Sequence, residues 1–182
     1  MEESGPPITL ASIWAQDRRG VLGDGKGMLW RVPADFAHFR KSTMGCPVLM
    51  GRTSFEALPS SLPGREIIVL SRRRDYAPEG VLVTDSLPEA IDLARTEASK
   101  MGAKVAWITG GASLYQQTMD VVEELVVTDL DFVVPENTAE GQLVYAPRID
   151  SEVWRVDRAR SDEAWRETSG DGRWKVTTYV RR

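Results

Sequence analysis

The sequence predicts an α/β fold: a mostly parallel sheet with an antiparallel edge contributed by its C-terminal part. Three observations carry that reading. Short β-branched, aliphatic runs alternate with segments that begin like helices, the pattern of parallel strands joined by helical crossovers. Several of those runs end abruptly in glycine, serine or arginine, as strands do at the ligand-binding edge of an open sheet. The last β-prone runs are instead grouped around a Gly170-Asp171-Gly172 turn, which argues an antiparallel edge.

Residues 1–7 read as a flexible tail and residues 8–182 as one domain, a length that suits a single core. Residues 8–15 are apolar and β-prone, a buried strand. Residues 17–29 hold Gly20, Gly23, Gly25 and Gly27 among polar neighbours and read as a mobile loop. Pro33 suits the first turn of a helix, where its missing N–H costs nothing. Residues 47–50 form a short strand, and Gly51-Arg52-Thr53-Ser54 opens a second helix. Leu62-Pro63-Gly64 is a turn, and residues 66–70 are a strand ending in Ser71-Arg72-Arg73-Arg74. Residues 81–84 are another strand. Ser86, Pro88 and Glu89 make a capping box for a helix reaching about Lys100. Residues 105–109 are a strand, followed by Gly110-Gly111 and a helix through Tyr115. Residues 125–131 are a strand and residues 135–151 an irregular loop. Residues 153–160 and 174–180 are expected to close the sheet as an antiparallel pair around the Gly170 turn.

Bulk properties narrow the function classes. The net charge is −4 and 42% of the residues are apolar, ordinary for a soluble globular protein. Mild acidity offers no global attraction to nucleic acid or anionic membrane, so a polyanion site must be local. Cys46 is the single cysteine and His38 the single histidine, so no intrachain disulfide and no Cys/His metal cluster can form. The chain start has no signal-like segment and no stretch is apolar enough to span a bilayer. A cytoplasmic monomer acting on small molecules, with no metal, is the expectation.

The informative local feature is Asp35. At about 100° per residue, Asp35, Phe36, Phe39, Arg40 and Thr43 share one arc of the first helix. His38 falls on the opposite, polar side. A carboxylate among aromatic rings is costly unless something pairs with it. The arc therefore suits a ligand with a donor-rich head, a flat middle and an anionic tail. Taken alone, Asp35 reads equally as a partner of the helix dipole, and Phe36 and Phe39 as core.

Three strands run into phosphate-friendly chemistry: Met50-Gly51-Arg52-Thr53-Ser54, Leu70-Ser71-Arg72 and Thr109-Gly110-Gly111-Ala112-Ser113. Glycines let the backbone approach a ligand, free N–H groups at a helix start accept an anion, and arginine forks onto phosphate. A pyrophosphate plus one extra phosphate fits NADPH better than NADH. Each piece alone is an ordinary turn, and no GxGxxG fingerprint is present.

These residues occur in a recognisable order. Ile13-Trp14-Ala15-Gln16, Met28-Leu29-Trp30, Pro33-Ala34-Asp35-Phe36 with Phe39, Met50-Gly51-Arg52, Leu62-Pro63-Gly64-Arg65, Leu70-Ser71-Arg72, Gly110-Gly111-Ala112 with Tyr115, and Val127-Thr128 together resemble the dihydrofolate reductases, of bacterial and most nearly actinobacterial type. The resemblance spans about residues 8–182. It implies a twisted, mostly parallel eight-stranded sheet with helices on both faces. It implies that NADPH gives hydride to C6 of 7,8-dihydrofolate while N5 gains a proton, yielding tetrahydrofolate for one-carbon metabolism and thymidylate synthesis.

Roles follow from the resemblance, position by position. Asp35 matches the acid that holds the pterin, with a raised pKa, and orients and polarises the ring while a water admitted beside Met28 brings the proton. Thr128 matches the hydroxyl that bonds the acid, and Trp30 the ring that holds a nearby water. Ile13, Ala15, Thr109 and Tyr115 belong to the pterin pocket. Phe36 and Phe39 sandwich the rings, with Leu58 and Leu62 on the far wall. Arg65 matches the grip on the glutamate α-carboxylate, and Arg40 steadies the tail. Ala15, Leu22, Gly23, Gly51, Thr53, Ser54, Leu70, Ala112, Ser113 and Leu114 are expected around the cofactor. Arg52 and Arg72 meet its 2′-phosphate, with Ser71 nearby, and Gly110 and Gly111 share a cis peptide. Residues 17–29 match a loop that closes on the nicotinamide.

Three departures stand out. Leu29 replaces the usual proline before the tryptophan, Thr109 replaces a large aliphatic residue, and residues 137–147 exceed the usual short turn. Two rival readings remain at this level. One is a pyrimidine reductase of riboflavin biosynthesis, which shares fold and cofactor. The other is an NADPH-binding regulatory module without catalysis. Asp35 between Trp30 and Phe39, with Arg65 after Leu-Pro-Gly, weighs against the first, and the Asp35–Thr128 pair against the second.

Overall fold

The computed structural model describes residues 5–139 and 141–182, so most of the expected tail and one residue of the 137–147 loop lie outside the described residues. In chain order the elements are β1 (Thr9–Gln16), β2 (Val21–Gly23), α1 (Pro33–Thr43), β3 (Pro47–Gly51), α2 (Arg52–Glu56), β4 (Glu66–Leu70), β5 (Leu82–Thr84), α3 (Leu87–Met101), β6 (Val105–Ile108), α4 (Ala112–Thr118), β7 (Glu124–Leu130), β8 (Val144–Tyr145), β9 (Trp154–Val156), β10 (Arg166–Ser169) and β11 (Gly172–Arg181).

The central sheet has eight strands in the order β10-β11-β7-β1-β6-β3-β4-β5, and the short β9 pairs separately with β11. From β7 through β5 neighbouring strands are parallel. β11 runs antiparallel to β7, and β9 and β10 antiparallel to β11. The expected mixed sheet with an antiparallel C-terminal edge is therefore present.

Alternation along each strand sorts the core into two layers. Leu10 and Trp14 of β1, Leu49, Ile68, Ala106, Ile108, Leu125 and Val127 pack on the side of α3 and α4. Ala11 and Ile13, Val48, Met50, Val69, Trp107 and Val126 pack on the other side, with Ala34 and Phe39 of α1 and Phe55 of α2. Thr128 follows Val126 by two residues, so the same alternation sends it to the α1 face, towards Asp35. On the opposite face, α3 lays Ala90, Ala94 and Ala98 against the sheet, small residues that let the helix lie close. Only half of the expected capping box forms: Ser86 Oγ accepts from Glu89 N at 3.3 Å, but the Glu89 carboxylate accepts from Thr84 Oγ1 at 2.7 Å and Ser86 N donates to that same hydroxyl at 3.2 Å.

The structure corrects three sequence expectations. The partner of β11 across the Gly170 turn is β10, not the 153–160 run; of that run only β9 is a strand, and it pairs with the far end of β11, Trp154 opposite Arg181. The 17–29 loop contains β2, which pairs with β8 from within the supposed irregular loop, so residues 144–145 are the loop's partner. His38 is half-buried against Trp174, with ring centroids 6.1 Å apart, not on a solvated helix face.

Candidate active site

The carboxyl ends of β1, β3, β4 and β6 open into one cleft of about 1530 Å³, walled by α1, α2, the start of α4 and the 17–29 loop. Every residue given a catalytic, substrate or cofactor role from the sequence lines this cleft, while Leu29, Thr43 and Cys46 do not. Also on its wall are Trp14, His38, Asp85, Leu87, Gln117 and Val144, which sequence reasoning missed. Asp85 and Leu87 follow the end of β5 and would have been found by the same strand-end logic. Val144 carried no local signal.

Asp35 sits in the first turn of α1 and is only 7% exposed. Burial raises its pKa above the usual carboxylate range, and the Thr128 hydroxyl, bonded to the carboxyl, opposes the shift. Trp30 Nε1, on the same cleft, is buried with no hydrogen-bond partner among the described residues. Phe36, 44% exposed, presents its ring to the opening, while Phe39 is half-buried. Met28, 46% exposed, stands at the end of the glycine loop.

Farther along the cleft, Arg65 is unusual. Its Nε and one terminal nitrogen are buried without an acceptor among the described residues. Burial and the neighbouring Arg40 lower its pKa. Arg40 and Arg65 line the same cleft with no ion pair to either among the described residues, an arrangement that can receive a carboxylate. Leu58 and Leu62, which follow α2 in the chain, line the same cleft and pack on the core layer that holds Phe39 and Phe55.

The glycine turns occupy the other end. The Gly110–Gly111 peptide is cis, as expected. Gly51 N donates to Gly110 O at 2.9 Å, tying the β3 and β6 turns together. A Cβ on Gly110 or Gly111 would lie 3.2 or 3.1 Å from Ser54 Oγ and press on α2, and Gly110 has a φ of +128° that favours glycine. Tyr115 is a buried anchor: its hydroxyl donates to Ile13 O at 2.6 Å, and burial pushes its pKa far up. Thr109 reaches back weakly to Leu49 O at 3.5 Å. Arg52 donates to both carboxylate oxygens of Glu56, at 3.1 and 3.3 Å, through one terminal nitrogen. Ser71 Oγ accepts from Arg73 N at 3.2 Å, fixing the turn that carries exposed Arg72.

The loop over the cleft is pinned at its base. Asp17, 1% exposed, accepts from Arg19 N and Val21 N through one oxygen and from Val134 N through the other. From that base, β2 carries Leu22 and Gly23 to the cleft wall.

Such a cleft at the strand ends of a parallel sheet, with a buried acid at one end and glycine turns flanked by arginines at the other, defines a nucleotide-using α/β enzyme. The comparisons are specific. The family model for dihydrofolate reductase matches residues 9–181, and the chain belongs to the dihydrofolate reductase family. The dihydrofolate reductase of Mycobacterium tuberculosis is 34% identical over 172 residues, 93% of this chain and 96% of that one. That of Neisseria meningitidis serogroup B is 36% identical over 176 residues, 96% of this chain and 98% of that one. The solved dihydrofolate reductase from Enterococcus faecalis, complexed with NADP(H) and RAB-propyl, matches with a TM-score of 0.80 and 29% identity over 96% of each chain.

Proposed function

We infer that the chain reduces 7,8-dihydrofolate to tetrahydrofolate with NADPH, and that the roles in the site follow the geometry. The observation that carries this reading is the single cleft joining buried Asp35, unpaired Arg65 and the Gly110–Gly111 turn. The cleft fits the cofactor: the Gly51 and Gly110–Gly111 turns line it as a backbone cradle, and Arg52 and Arg72 line it with them. When bound there, NADPH supplies the hydride that the pterin accepts at C6.

The chain's own residues do the rest. Asp35 accepts from the pterin's amino and ring N–H donors and favours the protonated ring. Thr128 holds the carboxyl, and Trp30 Nε1 is free to hold a water. Phe36 and Phe39 stack the flat rings against Leu58 and Leu62. Arg65, helped by Arg40, takes the glutamate carboxylate. Met28 and the 17–29 loop cover the reacting edge and exclude bulk water, while one water admitted beside Met28 brings the proton to N5. Turnover limited by loop motion or product release is consistent with that arrangement.

The family match over residues 9–181 supports one domain. Among the described residues no helix is long and apolar enough to cross a membrane. A monomer working in the cytoplasm on small molecules, and open to antifolate inhibitors, completes the proposal. The test is consumption of NADPH by purified protein with dihydrofolate. Turnover that trimethoprim or methotrexate suppresses supports the reading; folded protein with no turnover refutes it.

A further inference from the structure

Helix α1, which carries Asp35, starts without a cap of its own. Its N-cap residue is Val32, which makes no side-chain hydrogen bond, yet the first N–H groups of a helix need acceptors. One acceptor comes from the other end of the chain: Ser169 Oγ accepts from Ala34 N at 3.0 Å. Two residues on, Asp171 grips Arg31 from both sides. Its Oδ2 accepts from Arg31 N at 2.7 Å, and its own N–H donates to Arg31 O at 2.9 Å. Between them Gly170 has φ +59°, and a Cβ there would lie 2.0 Å from Arg31 O and 2.9 Å from Pro33 Cδ. The turn backbone is thus pressed onto residues 31–33. Gly172 continues the contact, since a Cβ on it would lie 2.7 Å from the Phe132 ring. That ring meets Trp30 edge-on at 6.0 Å.

Four consecutive residues of the β10–β11 hairpin therefore hold residues 31–34, the four-residue span whose flanks are Trp30 and Asp35. We propose that this turn is the positioning device for the folate-binding acid, with Ser169 capping α1 in place of a local residue and Asp171 clamping Arg31. Ser169 and Asp171 do not line the cleft, so they act through Trp30 and Asp35. Their effect is selective. A pocket acid must present its oxygens to a flat heterocycle within narrow limits, and small misplacements cost large factors in rate. The glycine turns at the nucleotide end rest on β3, α2 and α4 and have no part in this contact. A loosened α1 start thus disturbs dihydrofolate and leaves NADPH alone. It also admits water to Asp35, whose environment is set by burial and by Thr128.

The inference rests on the folate reading, and wild-type turnover tests that reading separately: no wild-type turnover overturns both. The experiment measures KM for each substrate, the pH profile of hydride transfer and the melting temperature for Ser169→Ala, Ser169→Thr, Asp171→Ala and Asp171→Asn. Loss of a cap is worth about fivefold in an equilibrium. Ser169→Ala should raise the dihydrofolate KM about that much, leave the NADPH KM unchanged and move the pH profile down. Ser169→Thr, which keeps an acceptor oxygen, should restore both. Asp171→Ala against Asp171→Asn gives the same contrast at the clamp and keeps the test decisive if Ser169→Ala folds poorly. Variants that melt earlier with dihydrofolate KM and pH profile at wild-type values, or KM effects equal for both substrates, would overturn the proposal.

Discussion

A carboxyl whose pKa burial has raised costs the folded protein free energy whenever it is ionised, and Asp35 is such a group. Its folded pKa lies above the unfolded one, so its contribution to stability is fully present below the unfolded value, near 3.8, and lost as pH rises through the folded value. Asp35→Asn should therefore melt at a higher temperature than wild type at neutral pH, the gap narrowing in acid; a lower melting temperature at neutral pH would contradict the sign. The same variant should keep NADPH binding and lose most hydride transfer, least severely at low pH, in single-turnover assays. Arg65 offers the complementary case. Its buried, unpaired nitrogens become useful only with a carboxylate opposite, and a charged hydrogen bond contributes about 1.5–3 kcal/mol. Arg65→Ala should weaken dihydrofolate binding by tens of fold without changing NADPH binding, measured by fluorescence titration of each ligand. Asp35 was legible because a carboxylate on an aromatic arc is costly and so conspicuous. His38 was misread because the helix wheel places it opposite that arc, while Trp174 from the C-terminal strand covers it.

The parallel strands were legible as elements because they are buried on both faces and read as continuous apolar runs. β10 was missed for the opposite reason: Arg166, Glu167 and Thr168 lie exposed at a sheet edge and carry no apolar alternation. The more hydrophobic 153–160 run was the better candidate by composition, yet β11 is long enough to pair with both. β2 and β8 are too short for any periodicity to show. The turn between β6 and α4 makes an element-scale prediction. Gly110 has φ +128° and stands against Ser54, and a side chain in such a conformation costs about 1–3 kcal/mol. Gly110→Ala should lower the melting temperature and raise the NADPH KM well beyond the dihydrofolate KM. Unchanged NADPH binding would show that the two turns do not form the cradle.

Over the whole molecule, sheet order converts residues scattered from Ile13 to Thr128 into one cleft, because β1 lies between β6 and β7 and β3 lies beside β6. That convergence could not be read from composition; the ordered motifs supplied it. The net charge of −4 opposes an anionic cofactor, while Arg52, Arg72 and Arg73 line the cleft proposed to hold it. Exposed charges are screened by salt, so the NADPH KM should rise with ionic strength more steeply in wild type than in Arg72→Ala, checked by steady-state kinetics across a salt series. Acid, arginine and glycine turns line one cleft, proposed as a single active site for folate and NADPH. Its most direct test is cofactor absorbance in a mixture of purified protein, NADPH and dihydrofolate. NADPH should be lost steadily, only when dihydrofolate is present, and the loss should disappear in Asp35→Asn at neutral pH. NADPH binding without dihydrofolate-dependent oxidation would contradict it.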